Sequence, residues 1–332
     1  MIDRRRFLHH LSISGAAAAL CPAQAFAADP PPETTRLRLA KVRSICLAPQ
    51  YVAAELLRAE GFREIEYVPL EGGLVNARAM ARGEVDMGMN FAAPLVSAID
   101  LELPIVMLGG IHSGCFELFV TDRVRTIKDL KGKSVAILRK NSGQHLFLAS
   151  IVTSVGLDPN RDIDWVDHPP GVAMKLLAAG KIDGYLGFPP DPQELRAAKI
   201  GRVLLNSTTD RPWSQYFCCL LSANREFTRK HPVATRRAMR AILKASEICA
   251  SSPEVAAKAY MDLGFETNAS HAVQAIRELP YGKWRDYNPE ETIRFYALRL
   301  REAGMVKSAP QKLIAQGTDW RFLNELKREM KT

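Results

Sequence analysis

Arg82-Gly83-Glu84-Val85-Asp86 and Ala179-Gly180-Lys181-Ile182-Asp183 are two copies of one phrase, 97 residues apart. Each follows an apolar helical stretch, and each precedes a phenylalanine at the same offset, Phe91 and Phe188. The physical reading is the same for both. A helix stops at glycine, the residue that takes a left-handed C-cap without strain. A β-branched residue and an aspartate then lead into a short apolar strand, Met87-Gly88-Met89 or Gly184-Tyr185-Leu186. Two copies predict two similar α/β lobes, and two lobes leave a cleft of the kind that holds small ligands.

The pattern extends outward from both copies. Around the first, Leu37–Ile45, Ile65–Leu70, Val85–Met89 and Pro104–Leu108 read as strands. Pro49–Gly61, Leu74–Arg82 and Ala92–Asp100 read as the helices between them. Around the second, strands are expected at 116–121, 134–138, 162–166, 182–187, 203–205 and 216–221. Helices are expected from Ser142, an N-cap, to before Gly156, and over 171–179. The alternation predicts mixed, mainly parallel sheets. From Asn224 the chain reads as helices at 224–251, 253–263, 268–278, 289–303, 308–315 and 319–331, punctuated by prolines. The chain would pass between lobes near 111–121 and 214–222. Lobe 1 is then 36–115 with 217–332, lobe 2 is 116–216, and the double crossing is a hinge.

Arg4-Arg5-Arg6-Phe7-Leu8 precedes an alanine-rich apolar run ending in Ala25-Phe26-Ala27, a small-x-small cleavage site. Residues 1–27 have the layout of a signal peptide of twin-arginine type, which predicts a periplasmic location. Without them the formal charge falls from +9 to +7. The basic residues are scattered, and the densest run, Arg225 to Lys244, is spaced like the wet face of an amphipathic helix. No nucleic-acid partner is expected. Five cysteines remain, an odd and irregularly spaced set that argues against a disulfide scaffold. Buried free thiols are the expectation.

Ala48-Pro49-Gln50-Tyr51-Val52-Ala53, Gly83-Glu84-Val85-Asp86-Met87-Gly88, Pro104-Ile105, Asp129-Leu130-Lys131-Gly132-Lys133-Ser134-Val135 and Gly180-Lys181-Ile182-Asp183 occur in this order. In their order and spacing, over roughly residues 36–265, they resemble periplasmic solute-binding proteins of ABC importers. Within that group the chain is similar to the nitrate, sulfonate, taurine and thiamine-precursor (NMT1/THI5-like) binding proteins. The resemblance implies a type II two-lobed fold that closes on a small-molecule solute. It further implies delivery to an ABC permease and its ATPase at the inner membrane, with no catalysis and no cofactor, by a monomer. The helical tail after Gly264 has no role in this picture.

Ligands in parallel sheets sit beyond the C-terminal strand ends. That rule nominates Gln50, Tyr51, Gly73, Asn90 and Phe91 from the first lobe, and Ser142, Gly143, Gln144 and Phe188 from the second. The crossings add His112, Cys115, Glu117, Trp213 and Tyr216. Ser142-Gly143-Gln144 at a helix start suits an anionic group, or is an ordinary N-cap. Phe91, Phe188, Trp213 and Tyr216 suit a stacked ring, or are core. His112, Cys115 and Glu117 are metal-ligand types, but His112 and Cys115 share a face only through a turn. We read that turn as hinge touching an organic ligand and assign no metal. No nucleophile elbow, phosphate loop or zincin helix occurs. An exported enzyme of thiamine-pyrimidine type and a ligand-sensing partner of a membrane signalling protein are the alternative readings.

Overall fold

Gly83 and Gly180 have φ of +72° and +65°. They are the left-handed caps that the doubled phrase requires, and they close the helices Gly73–Ala81 and Pro170–Ala178. The aspartates that follow are equivalent too. Asp86 accepts from the Arg38 backbone N–H at 2.7 Å, and Asp183 from that of Ser134 at 3.1 Å. Each carboxylate therefore ties its turn to the neighbouring parallel strand of its own half. These facts come from a computed structural model that describes residues 30–265 and 267–330. The export-signal reading lies outside the described residues.

Among the described residues ten strands form two sheets. They are β1 (Arg36–Lys41), β2 (Glu64–Pro69), β3 (Met87–Phe91), β4 (Ile105–Ser113), β5 (Glu117–Val120), β6 (Lys133–Ile137), β7 (Ile163–Asp167), β8 (Gly184–Gly187), β9 (Arg202–Asn206) and β10 (Phe217–Asn224). Their orders are β2-β1-β3-β10-β4 and β7-β6-β8-β5-β9. The first three strands of each order correspond and run parallel. The fourth is in each case a strand entering from the other half, β10 or β5, and it pairs antiparallel on both sides. Parallel pairing therefore does not predominate: four pairings are parallel and four antiparallel, because a crossing strand arrives against the local direction.

A buried glutamine closes the weakest pairing in each half. β1 and β3 share only the Leu39–Met87 register. Gln50 spans them, donating to Ala40 O at 3.0 Å and accepting from Met89 N at 2.9 Å. In the other half Gln144 accepts from Leu138 N at 2.9 Å and donates to Leu186 O, joining the ends of β6 and β8. β3, β4 and β10 are buried along their whole length. Helix Ala92–Asp100 and the C-terminal helices supply much of their cover.

Several expectations are corrected. The helix expected over Pro49–Gly61 is two, Ala48–Val52 and Ala54–Ala59. The one expected over 224–251 divides at His231, because Pro232 starts a new helix where its missing N–H is harmless. Helix Asp191–Ala197 was not anticipated, hidden behind Pro189, Pro190 and Pro192. Cys115 and Cys218 form a disulfide, with Cα atoms 6.5 Å apart, so among the described residues Cys46, Cys219 and Cys249 are the buried free thiols. The two partners come from the two chain crossings, which sequence spacing does not bring together.

The helical tail spans both halves. Helix Pro289–Glu302 packs on Ala92–Asp100 of the first and on Gly143–Ser154 of the second. Glu278, on helix Ala269–Glu278, pairs with Arg196 at 2.6 Å and accepts from Gln193 at 2.7 Å. No described helix is long and apolar enough to cross a membrane.

Candidate functional site

A cavity of about 320 Å³ opens where the C-terminal ends of β1, β2 and β3 approach those of β6, β7 and β8. The first half lines it with Val42, Arg43, Ser44, Leu70, Glu71, Gly73 and Phe91. The second contributes Leu138, Arg139, Ser142, Gly143, Gln144, Pro170 and Phe188. This is the position at which open α/β sheets hold ligands. Its walls are mostly apolar, and its polar groups are few.

The two phenylalanines of the doubled phrase meet here, ring centroids 5.8 Å apart and near edge-on. Glycine permits the halves to approach. A Cβ on Gly143 would stand 2.5 Å from the Phe91 ring, and one on Gly73 would touch the backbone of Asn141 and Ser142. Arg139 pairs with Glu71 across the gap. Arg43 has no ion-pair partner among the described residues. Helix Gly143–Ser154 begins at the cavity, and its first-turn N–H groups have no intrahelical acceptor. One unpaired guanidinium, one paired guanidinium and a helix N-terminus give the polar end of the cavity a positive bias.

The loop bearing Ser142 is held from behind. Asn141 has φ +62°, and its N–H donates to His145 Nδ1 at 3.1 Å. Ser142 Oγ accepts from His145 N, so the hydroxyl caps its own helix. Burial, with the Lys140 charge adding, holds the His145 imidazole down to about 4. It is therefore a neutral acceptor at neutral pH.

Of the residues nominated from sequence, Gly73, Phe91, Ser142, Gly143, Gln144 and Phe188 line this cavity together. Gln144 does so with both ends of its amide already engaged. Gln50, Tyr51 and Asn90 lie behind the cavity wall. The Tyr51 hydroxyl bonds the backbone of Val42 as donor and acceptor, and its ring packs on Tyr67, Tyr260 and Phe265. Asn90 Nδ2 donates to Gly73 O at 2.9 Å, fixing the glycine that does line the cavity. His112 is fully buried, with Nε2 3.0 Å from Cys46 O and its ring edge-on to Tyr281. Trp213 packs between Phe147 and Phe295, and Tyr216 stacks on Phe295 at 3.9 Å. Cys115 and Glu117 face a second cavity of about 230 Å³. There burial pushes the Glu117 carboxyl up although Arg196 is bonded to it.

The sequence reading missed Arg43 and Arg139. The signal for them was available: each lies two residues beyond the first parallel strand of its own half, β1 or β6. They are equivalent positions of the two halves, and only the correct strand ends expose the match.

The model of the NMT1-like family matches residues 30–261. The taurine-binding periplasmic protein of Escherichia coli (strain K12) is 24% identical over 193 residues, 58% of this chain and 59% of that protein. The nitrate import ATP-binding protein NrtC of Synechocystis sp. is 25% identical over 200 residues, 58% of this chain and 28% of that protein. The chain thus spans less than two thirds of either curated relative. Among solved structures, the periplasmic nitrate-binding protein NrtA from Synechocystis PCC 6803 has a TM-score of 0.75 at 12% identity, covering 91% of this chain and 90% of that one. The alkanesulfonate-binding protein SsuA from Xanthomonas axonopodis pv. citri, bound to MOPS, has a TM-score of 0.69 at 17% identity, covering 87% and 99%. At these identities the structural likeness is one of fold, the two-lobed α/β architecture of periplasmic binding proteins.

Proposed function

Because the chain belongs to the NMT1-like family, we propose that it captures a small organic anion between its halves as the periplasmic solute-binding component of an ABC importer. One observation carries the reading. The cavity joins both sets of strand ends and combines apolar walls with Arg43, Arg139 and a helix N-terminus. A carboxylate or sulfonate head takes the basic end, and a carbon body lies against Phe91, Phe188, Leu70 and Leu138. The apolar lining favours an organic solute over an inorganic ion. The names of the relatives, for taurine, alkanesulfonate and nitrate, support an anionic solute.

Lobe 1 comprises 36–115 and 217–332, and lobe 2 comprises 116–216. A solute contacting both favours the closed state, because only that state offers all the contacts. The closed form docks on a permease that works with an ATPase subunit. Residues 1–27 direct export, and the protein acts as a monomer without catalysis.

The test is titration calorimetry with sulfonates and carboxylates of increasing chain length, nitrate, and neutral amide isosteres, with ligand recovered afterwards for mass analysis. We expect micromolar or tighter binding of at least one organic anion, returned unchanged. Affinity should fall about tenfold or more in Arg43→Ala, the scale of one charge-assisted contact. No binding across the panel, equal binding of the neutral isostere, or conversion of the ligand overturns the reading.

A further inference from the structure

Three of the five cysteines beyond residue 27 bring their sulfurs together where both chain crossings pass the loop after β1, and a fourth is bonded to one of them. Cys46 lies in that loop, Cys115 follows β4, and Cys218 and Cys219 lie near the start of β10. The Cys46 and Cys219 sulfurs are 3.9 Å apart. Those of Cys46, Cys115 and Cys219 all lie within 4.8 Å of one another, and Cys218 is bonded to Cys115. Adjacent strand residues normally face opposite ways. Register irregularities flank Cys219 on both sides and break that alternation, and Cys218 is tied to the cluster through its bond to Cys115.

Isolated buried cysteines pack as small hydrophobes, which accounts for Cys249. It does not account for three sulfurs converging from three segments with a fourth bonded to one of them. A zinc ion bound tetrahedrally by thiolates at about 2.3 Å sets its ligand sulfurs about 3.8 Å apart. The Cys46–Cys219 separation already has that value to within a tenth of an ångström or so. Outer partners are in place as well. Ser44 Oγ stands 2.9 Å from Cys46 Sγ, and His112 Nε2 stands 3.0 Å from Cys46 O. Such contacts orient metal ligands. The second cavity reaches Cys115 and gives a route in.

We propose that in the reduced chain Cys46, Cys115, Cys218 and Cys219 bind one thiophilic d10 ion, zinc being the type. Two electrons from a phosphine or dithiol reductant, with two protons from water, open the Cys115–Cys218 bond to two thiols. Ligation then releases four protons, one from each thiol. The disulfide and the metal site are alternative states of the same sulfurs, and both tie the two crossings together. The metal state adds the loop after β1. This inference does not rest on the transport reading.

The full chain, reduced with a phosphine and freed of metal by chelation, is titrated anaerobically with Co(II) alone. We expect one equivalent to bind, with a thiolate-to-cobalt charge-transfer band, strong tetrahedral visible bands, and displacement by Zn(II). Cys46→Ser and Cys219→Ser weaken binding roughly 100-fold, whereas Cys249→Ser leaves it unchanged. Should a variant fail to fold, the wild-type chain still decides. Alkylation followed by peptide mass mapping must show Zn(II) shielding Cys46, Cys115, Cys218 and Cys219. Absence of the charge-transfer band, binding retained in both folded variants, or alkylation indifferent to Zn(II) overturns the site.

Discussion

One methyl group separates the present approach of the two halves from a clash. Gly143→Ala would place a Cβ 2.5 Å from the Phe91 ring, and overpacking of this kind costs about 1–3 kcal/mol. Either Phe91 turns or the halves part, and both outcomes weaken ligand held between them. We expect calorimetry to show a roughly 10- to 100-fold loss of affinity. Gly171→Ala, which meets nothing within 4 Å, should leave affinity unchanged. His145 makes a pH prediction at the same site. Its ordinary value is about 6.5, and the folded protein holds it down to about 4 by burial, with Lys140 adding. The unfolded chain therefore takes up the proton first. The stability this residue lends is complete above about pH 6.5 and is lost as pH falls towards 4. The loss amounts to about 2–3 kcal/mol. Urea midpoints from pH 4.5 to 7.5 should fall with pH in the wild type, and less steeply in His145→Gln. A parallel pair of slopes would show that another group is responsible.

Elements repeat more faithfully than their sequences do, and the glutamine bridges show why. Gln50 and Gln144 each satisfy one backbone acceptor and one backbone donor between strands that barely pair. Truncating either to alanine leaves two buried backbone groups unpaired, at about 1–3 kcal/mol each. We expect Gln50→Ala and Gln144→Ala to lower the free energy of unfolding by similar amounts, about 2–6 kcal/mol, read from denaturant midpoints. A loss under about half a kcal/mol in either would mean that water replaces the amide. The same residues mark the limit of what the sequence reveals. Glycine at a C-cap is legible because only its backbone takes that conformation cheaply, so the doubled phrase located two α/β halves and the Phe91–Phe188 pair. An amide on a helix is not legible in the same way. Its type is identical whether it points into a cleft or back into a sheet, and Gln50 and Asn90 point back. Trp213 and Tyr216 went astray for a related reason, since their partner Phe295 lies on a helix some 80 residues further on. The Cys115–Cys218 bond has a separation of 103 residues and no spacing signature.

At the scale of the molecule the question is what holds the two halves together. Part of the answer is the helical tail, which packs on both halves and carries Glu278 to Arg196. The proposed closure around a solute would therefore pivot with the tail in place, and Arg139 is where its energetics separate into two contributions. Arg139 pairs with Glu71 across the gap, but Glu71 is 68% exposed. An exposed pair of this sort contributes about 0–1 kcal/mol. If the arginine served only as a latch to Glu71, removing either partner would have the same small effect. If it also meets the anionic head of the solute, the two removals diverge. Glu71→Ala should change ligand affinity less than about fivefold, or tighten it slightly by freeing the guanidinium. Arg139→Ala should weaken it about tenfold or more, as loss of a charge-assisted hydrogen bond does. Small-angle scattering supplies the second axis. The radius of gyration of the wild type should fall on adding ligand, that of Glu71→Ala should fall as far, and that of Arg139→Ala should fall only at proportionately higher ligand concentration. Equal losses in the two variants would reduce Arg139 to a latch and leave Arg43 as the sole cation facing the solute.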